Sequence, residues 1–277
     1  MLGQEFMRNA LLAGTVIALA CGVAGWFVVL RGQVFAGDAL SHVAFPGALA
    51  AAAAGADERI GLFVATVALG AAIGVLGRGV VAGRAGAAAS GQRADDAAIG
   101  IVFMFTLGLG VFFLTRFSAG SGGASGIQAA HTLFGSIFGL SGGEARLAAA
   151  VGLAAIALTL AAARPLLFAS VAPEIAAARG VHTRLLSVGF LALLGVIAAE
   201  ATQAVGALLL LGLLTAPAAA AHRIARSPFA GMALAGLLAV GATWGGLALA
   251  YAVPSLPPST AIVAIAVSTF YASRVLR

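Results

Sequence analysis

The sequence predicts an all-α membrane protein, a bundle of eight to nine transmembrane helices, and three observations carry that prediction. Of its 277 residues, 62% are hydrophobic and only 9% charged, whereas a soluble domain carries about 25% charged residues. The apolar residues fall in runs of about 17–22, the length that crosses a hydrocarbon core about 30 Å thick. None of these runs alternates in the segments of about ten residues that mark an outer-membrane barrel. The whole chain, 1–277, reads as a single transmembrane domain.

Charge and cysteine content exclude several classes. All fifteen basic residues are arginine. A P-loop requires the lysine of G-x-x-x-x-G-K-[ST], so this chain is not itself a P-loop ATPase. The net charge of +6 is spread over arginines between apolar runs, which reads as topology and not as a nucleic-acid surface. A single cysteine, Cys21, excludes an internal disulfide and a cysteine metal cluster. Ala18-Leu19-Ala20-Cys21 has the look of a lipoprotein cleavage site. The apolar run continues through Trp26 and Leu30, however, and this predicts an uncleaved first span.

The expected elements follow in order. A first span covers about residues 10–30 and ends at Arg31; a second runs from near Asp38 to Ala54 and closes at the polar turn Asp57-Glu58-Arg59; a third covers about 60–77. Arg78, Arg84 and Arg93 in the next loop argue for the cytoplasmic side. The fourth span, about 97–115, opens on Asp95-Asp96 as N-cap and dipole partners. After a Gly/Ser-rich stretch at 118–126, His131 to Leu140 is apolar but too short to span, as in re-entrant or interfacial segments.

A fifth span is expected at about 146–163, followed by a polar stretch, 164–184. Within it Pro173 suits the first helical position, Glu174 the first turn, Arg179 the last turn and Gly180 the residue just past the end. This predicts a short surface helix on the cytoplasmic side. Residues 185–222 form one apolar stretch broken by Glu200, Thr202 and Gln203, read as two spans with their turn at Glu200–Gln203 on the far side. Pro217 is expected to kink the second of them and free the Leu213 carbonyl. The last spans cover about 229–251 and 259–275, and Arg274 and Arg277 keep the C-terminus inside. Arg8 and Arg31 do not fix the side of the N-terminus.

The most informative stretch is Gly37-Asp-Ala-Leu-Ser-His-Val-Ala-Phe-Pro-Gly47. Asp38 and His42 are spaced i, i+4, so on a helix they share one face. Pro46 lacks an N–H, which leaves the His42 carbonyl without its helical partner. One turn therefore offers a carboxylate, the Ser41 hydroxyl, an imidazole and a carbonyl. Ionisable groups inside a span mark a functional site by default, because each costs about 2.5–3.5 kcal/mol to insert. The bland alternatives are an N-cap role for Asp38, accepting from the Ser41 backbone N–H, and a satisfied interior histidine.

Four pieces of sequence occur in a familiar order: Phe6-Met-Arg-Asn-Ala10, the Gly37–Gly47 stretch, Gln203-Ala-Val-Gly206 with Leu208 to Pro217-Ala-Ala, and Leu256-Pro-Pro-Ser-Thr-Ala-Ile-Val263. Together they resemble the permease subunits of bacterial ABC importers for zinc, manganese and iron(II), over nearly the whole chain. The resemblance implies a multi-pass protein of the bacterial cytoplasmic (inner) membrane, working as a homodimer surrounded by lipid. It also implies two partner ABC ATPase subunits and an extracytoplasmic metal-binding protein, with no permanent cofactor and no catalytic residues in this chain. On this resemblance 164–184 holds the coupling helix, and Pro173, Glu174, Arg179 and Gly180 are its ATPase-coupling residues. Family members usually carry an aromatic-Asp pair before that proline; here Val171-Ala172 stands there.

Carboxylate and imidazole suit Zn²⁺, Mn²⁺ and Fe²⁺, and Asp38, His42 and Ser41 are accordingly the expected metal path. Glu200 and Gln203 are either a solvated turn or a gate or docking surface for the binding protein, and His131 is a further candidate there. His182 and His222 stand beside arginines and read as interfacial. Gly123-Ala-Ser125-Gly126 is a G-x-S-G pattern, which can present a nucleophilic serine in an intramembrane protease, but it lies in a Gly/Ser-rich loop and no histidine is spaced to pair with it on a neighbouring span. The alternatives are a permease for a chelate such as a siderophore or cobalamin, which needs a wider and less charged path, and an ATP-independent channel.

Overall fold

A computed structural model describes residues 4–76, 88–121, 135–253 and 255–275. His131, Gly123–Gly126, Arg78, Arg84 and Arg277 lie outside the described residues. Ten α-helices occupy the rest: α1 Glu5–Leu30, α2 Val34–Ala53, α3 Glu58–Leu76, α4 Ala88–Ser121, α5 Gly142–Val171, α6 Pro173–Ala178, α7 Thr183–Val205, α8 Ala207–Ile224, α9 Pro228–Ala252 and α10 Pro258–Val275, with a 3₁₀ turn at Ile137–Gly139. The described residues contain no strand.

Six helices, α1, α2, α3, α5, α7 and α9, are long and apolar enough to cross a membrane. Ile99–Thr115 of α4 and Leu210–Ile224 of α8 are shorter apolar stretches, and α10 has 18 residues, about 27 Å of helix. Large apolar side chains such as Ile101, Phe105, Leu158 and Leu237 stand exposed. Exposure of this kind is a liability in water and the ordinary condition of a helix face in lipid. The chain is a multi-pass membrane protein.

Packing divides the chain into two compact units. One comprises Met1–Val29, Gln128–Ala157 and Glu200–Arg277; the other comprises Leu30–Ile127 and Leu158–Ala199. In the first, α8, α9 and α10 pack on one another, and α1 lies against α8 and α9 through glycines. A Cβ on Gly22 would stand 2.5 Å from the Ala235 carbonyl oxygen, and one on Gly25 would collide with that of Leu214. Trp244 Nε1 donates to Thr15 Oγ1 at 2.8 Å, and Asn9 Nδ2 donates to the Leu140 carbonyl at 3.3 Å. Ser141 and Glu144 form a reciprocal capping box at the start of α5.

In the second unit α2 packs against both α3 and α4. Its contact with α3 is backbone to backbone: a Cβ on Gly47 would stand 2.7 Å from the Gly61 carbonyl oxygen, and one on Gly61 would strike that of Gly47. α3 in turn lies against α7 along Gly70-x-x-x-Gly74. A Cβ on Gly74 would be 2.6 Å from Val188 Cα, and one on Gly195 of α7 would be 2.5 Å from the Thr66 carbonyl oxygen. Small residues permit such approach where lipid supplies no hydrophobic drive for association.

Several boundaries differ from the sequence reading. α2 starts at Val34 with Gln33 at the N-cap position, so Asp38 sits a turn inside the helix and is not its cap. α4 starts at Ala88 and runs through Ser121. Asp95 and Asp96 are therefore internal, and part of the Gly/Ser-rich stretch is helical. Alanine is the best helix former, and Ala88-Ala89 lets the helix begin ahead of the aspartates. α5 continues past Arg164 and Pro165 to Val171; an internal proline removes one N–H and is tolerated in a membrane helix. α7 continues through Glu200 and Gln203 to Val205, and the break falls at Gly206, φ +96°. Apolar Ala and Val on either side of the polar residues sustain the helix until a glycine releases it.

The packing makes a testable statement. Gly61→Leu overpacks the α2–α3 contact and is expected to cost about 1–3 kcal/mol, read as a lower unfolding temperature of the detergent-solubilised protein. Gly108→Ala, where an added methyl meets nothing within 4 Å, is expected to leave that temperature unchanged or slightly raised. Equal stability of the two variants would contradict the contact.

Candidate functional site

Asp38 and His42 lie one turn apart on α2 and face the same way. Asp38 Oδ1 and His42 Nε2 are 3.7 Å apart, with side chains 29% and 19% exposed. That separation is too long for a hydrogen bond. Two ligands held 2.0–2.2 Å from one ion at a tetrahedral angle stand roughly 3.4 Å apart, so a small side-chain adjustment brings both onto one ion. The His42 ring is packed on Phe103 of α4, centroids 5.3 Å apart and planes at 52°, which limits its rotation. Nearby, Gly110 of α4 admits Pro46, its hypothetical Cβ lying 3.1 Å from Pro46 Cγ.

Ser41 does not join the pair. It is fully buried, and its hydroxyl donates to the Asp38 carbonyl at 2.7 Å. The N-cap alternative for Asp38 fails on the same geometry, since the bond runs from the serine side chain to the aspartate backbone. Among the described residues no group of three or more His, Cys, Asp and Glu side chains converges, so this turn brings together one carboxylate and one imidazole, with the His42 carbonyl four residues ahead of Pro46.

The short helix α6 follows its sequence signals closely. Pro173 occupies the first turn and Glu174 follows it, while Ala172 at the N-cap position offers no side-chain cap. Arg179 is the C-cap residue and Gly180 takes φ +82°. The Gly180 N–H donates to the Ala177 carbonyl and the Val181 N–H to the Ala176 carbonyl, both at 3.0 Å. These two bonds are the Schellman arrangement, which satisfies the last carbonyls of a helix and demands a left-handed residue. Ala176 is buried, while Glu174, Ile175 and Arg179 are exposed.

Glu200 and Gln203 lie on the last two turns of α7. Glu200 is 3% exposed, so it is not part of a solvated turn. The Ser136 N–H donates to the Gln203 carbonyl at 3.2 Å. Gly135, at φ +69°, comes so close that its hypothetical Cβ would stand 2.5 Å from the Gly206 nitrogen. His131 belongs to the segment outside the described residues. His222 stacks on Trp26, centroids 4.7 Å apart, and its Nε2 is 2.9 Å from the Trp26 carbonyl oxygen, which gives it a packing role.

Sequence reasoning missed two features. Phe103 carries no signal in an apolar run, and Arg31 read only as the end of a span. In the structure Arg31 Nη2 donates to Ser187 Oγ, Nε donates to Gln33 Oε1 at 3.1 Å, and the guanidinium sits 5.7 Å from the Phe190 ring centroid. Burial pulls its pKa down to about 10, still charged at neutral pH. A separate cavity of about 570 Å³ lies between α5 and α7, walled by Leu158, Leu166, Leu186, Phe190 and Leu193. Among the described residues its lining carries no carboxylate.

Comparisons with known proteins find similar chains over nearly the whole length. The manganese import system permease protein ScaB of Streptococcus parasanguinis is 29% identical over 274 residues, covering 98% of this chain and 92% of that protein. A Haemophilus influenzae protein named "Probable iron transport system membrane protein" is 27% identical over 223 residues, 80% of this chain and 76% of its own length. The solved structure of PsaBC from Streptococcus pneumoniae in complex with Fab superposes with a TM-score of 0.81 at 28% identity, covering 98% of this chain and 91% of that one. Residues 3–277 match the family model for the ABC 3 transport family. With nearly every residue inside that match, the chain belongs to the ABC 3 transport family.

Proposed function

We propose that this chain is the permease subunit of an ABC importer for a divalent transition-metal ion, and that Asp38 and His42 hold the ion in transit. The observation that carries the reading is the Asp38–His42 pair: a carboxylate and an imidazole one turn apart, partly exposed, at ion-sharing distance within a membrane helix. The relatives' own names point to manganese and iron, and one oxygen and one nitrogen donor suit either, as they suit zinc. The reading takes the whole of 1–277 as one permease domain of the bacterial cytoplasmic membrane.

Two ligands per chain hold a metal weakly, and a transport site must release what it binds. In a homodimer with its axis near the path, the same two groups would come from each copy. ATP hydrolysis falls to a partner chain, and an extracytoplasmic binding protein delivers the ion. Exposed Glu174, Ile175 and Arg179 on a helix pinned by the Gly180 turn suit α6 to docking on that ATPase. Nucleotide-driven movement of α6 would then switch the path between outward and inward access. Burial of Glu200 favours a gate at the Gly135–Gly206 contact over a docking surface for the binding protein; Gln203 and His131 belong to the same reading.

Cells lacking their own importers, supplied with this chain and its ATPase and binding-protein partners, are expected to accumulate manganese or iron, measured by elemental analysis. Asp38→Ala is expected to abolish the gain. Full uptake by an assembled Asp38→Ala complex would remove Asp38 from the path. No uptake by the wild type would redirect the assignment to a chelate or another solute.

At the docking helix, Gly180→Val strains the left-handed residue by about 1 kcal/mol or more. It is expected to weaken ATPase co-purification while Mn²⁺ binding to the permease is kept. Unchanged ATPase retention would argue against docking through α6.

A further inference from the structure

We infer that Arg31 is a positioning residue, the mechanical link that carries movement of α6 to the Asp38–His42 helix. The inference rests on the proposed transport function and adds the route of coupling within the permease.

Every step of the route lies in one compact unit. From α6 to α7 the chain has no slack. The Gly180 and Val181 amides are bonded back into α6, the Thr183 N–H donates to the Val181 carbonyl at 2.8 Å, and the Leu186 N–H donates to the His182 carbonyl at 3.0 Å. Displacement of α6 therefore moves the first turn of α7. Ser187 and Phe190 stand among the first eight residues of that helix, both buried. Arg31 grips both, through the hydrogen bond from Nη2 to Ser187 Oγ and the guanidinium beside the Phe190 ring. Its Nε reaches Gln33 Oε1 at 3.1 Å, and Gln33 is the N-cap position of α2. Asp38 is five residues further, about 7.5 Å along the helix.

The guanidinium suits this task because its planar fork of fixed donors engages two elements at once and stacks on an aromatic ring. An arginine that merely ends a span extends its head into the interface; Arg31 turns its head inward onto protein groups. The α2–α3 and α3–α7 contacts are glycine-lined and set spacing through backbone contact. Apolar contact is non-directional, and Arg31 adds directional hydrogen bonds that tie the start of α2 to α7.

The test uses the full complex with its ATPase and binding protein in proteoliposomes, with Mn²⁺ as cargo, and reads Mn²⁺ moved per ATP hydrolysed. Arg31→Met is expected to lower this ratio about tenfold, within the usual range of coupling free energies, while ATP turnover and assembly by size exclusion hold. Arg31→Lys is expected to recover only part of the ratio. Ser187→Ala lowers it in the same direction, and the double variant is no worse than Arg31→Met, because both remove one link. An unchanged ratio in Arg31→Met, or a parallel fall of ATP turnover and transport, overturns the inference. Should Arg31→Met fail to assemble, an unchanged ratio in Ser187→Ala overturns it equally. Absence of Mn²⁺ uptake by the wild type would instead overturn the transport reading on which the inference stands.

Discussion

Backbone contact between α2 and α3 at Gly47 and Gly61 decides where the Asp38–His42 face can point. With no Cβ on either residue the two helices meet closely, and α4 closes the other side of α2 through Phe103 and Gly110. α2 is thereby held between two neighbours, with one turn left partly open. A protein in lipid has little hydrophobic force with which to press helices together. Close-range van der Waals contact between small residues takes that role, and a single added side chain at such a seam forces the helices apart.

The same solvent explains the economy of polar groups. Thr15, Thr66, Ser41, Ser170 and Thr243 donate their hydroxyls to carbonyls three or four residues back in their own helices, which satisfies these donors without a partner helix. The charged groups that stay inside the described apolar helices are therefore set apart. Asp38 and His42 are among them, one turn apart on α2, and so is Glu200 near the end of α7, whose last residues meet Gly135 and Ser136. Arg31 is different in kind. It lies just outside α1, binds protein groups on α7, and adjoins the start of the helix that carries Asp38 and His42.

Much of this was legible in the sequence, for identifiable reasons. Helix spans followed from apolar run length, because the bilayer fixes the length required. α6 was readable almost residue by residue, since Pro173, Glu174 and Gly180 each report a local backbone requirement. The i, i+4 spacing of Asp38 and His42 gave the shared face once a helix was assumed. Boundaries were harder. Asp38 resembled a cap because Gly37 precedes it, yet Val34 to Ala36 continue the helix upstream, and Glu200 resembled a turn although apolar neighbours carry α7 on to Gly206. Contacts between distant segments were not readable at all. Nothing local in Arg31 points to Ser187, and nothing in Phe103 points to His42, because those pairings arise from the packing of α2, α4 and α7.

The central claim, that Asp38 and His42 together hold the ion in transit, is tested most directly by pulsed electron paramagnetic resonance of Mn²⁺ bound to the purified permease–ATPase complex. A nitrogen coupling from a directly bound imidazole is predicted, lost in His42→Leu and retained in His222→Leu. Bound Mn²⁺ that shows no nitrogen coupling, or a coupling that survives His42→Leu, would contradict the account.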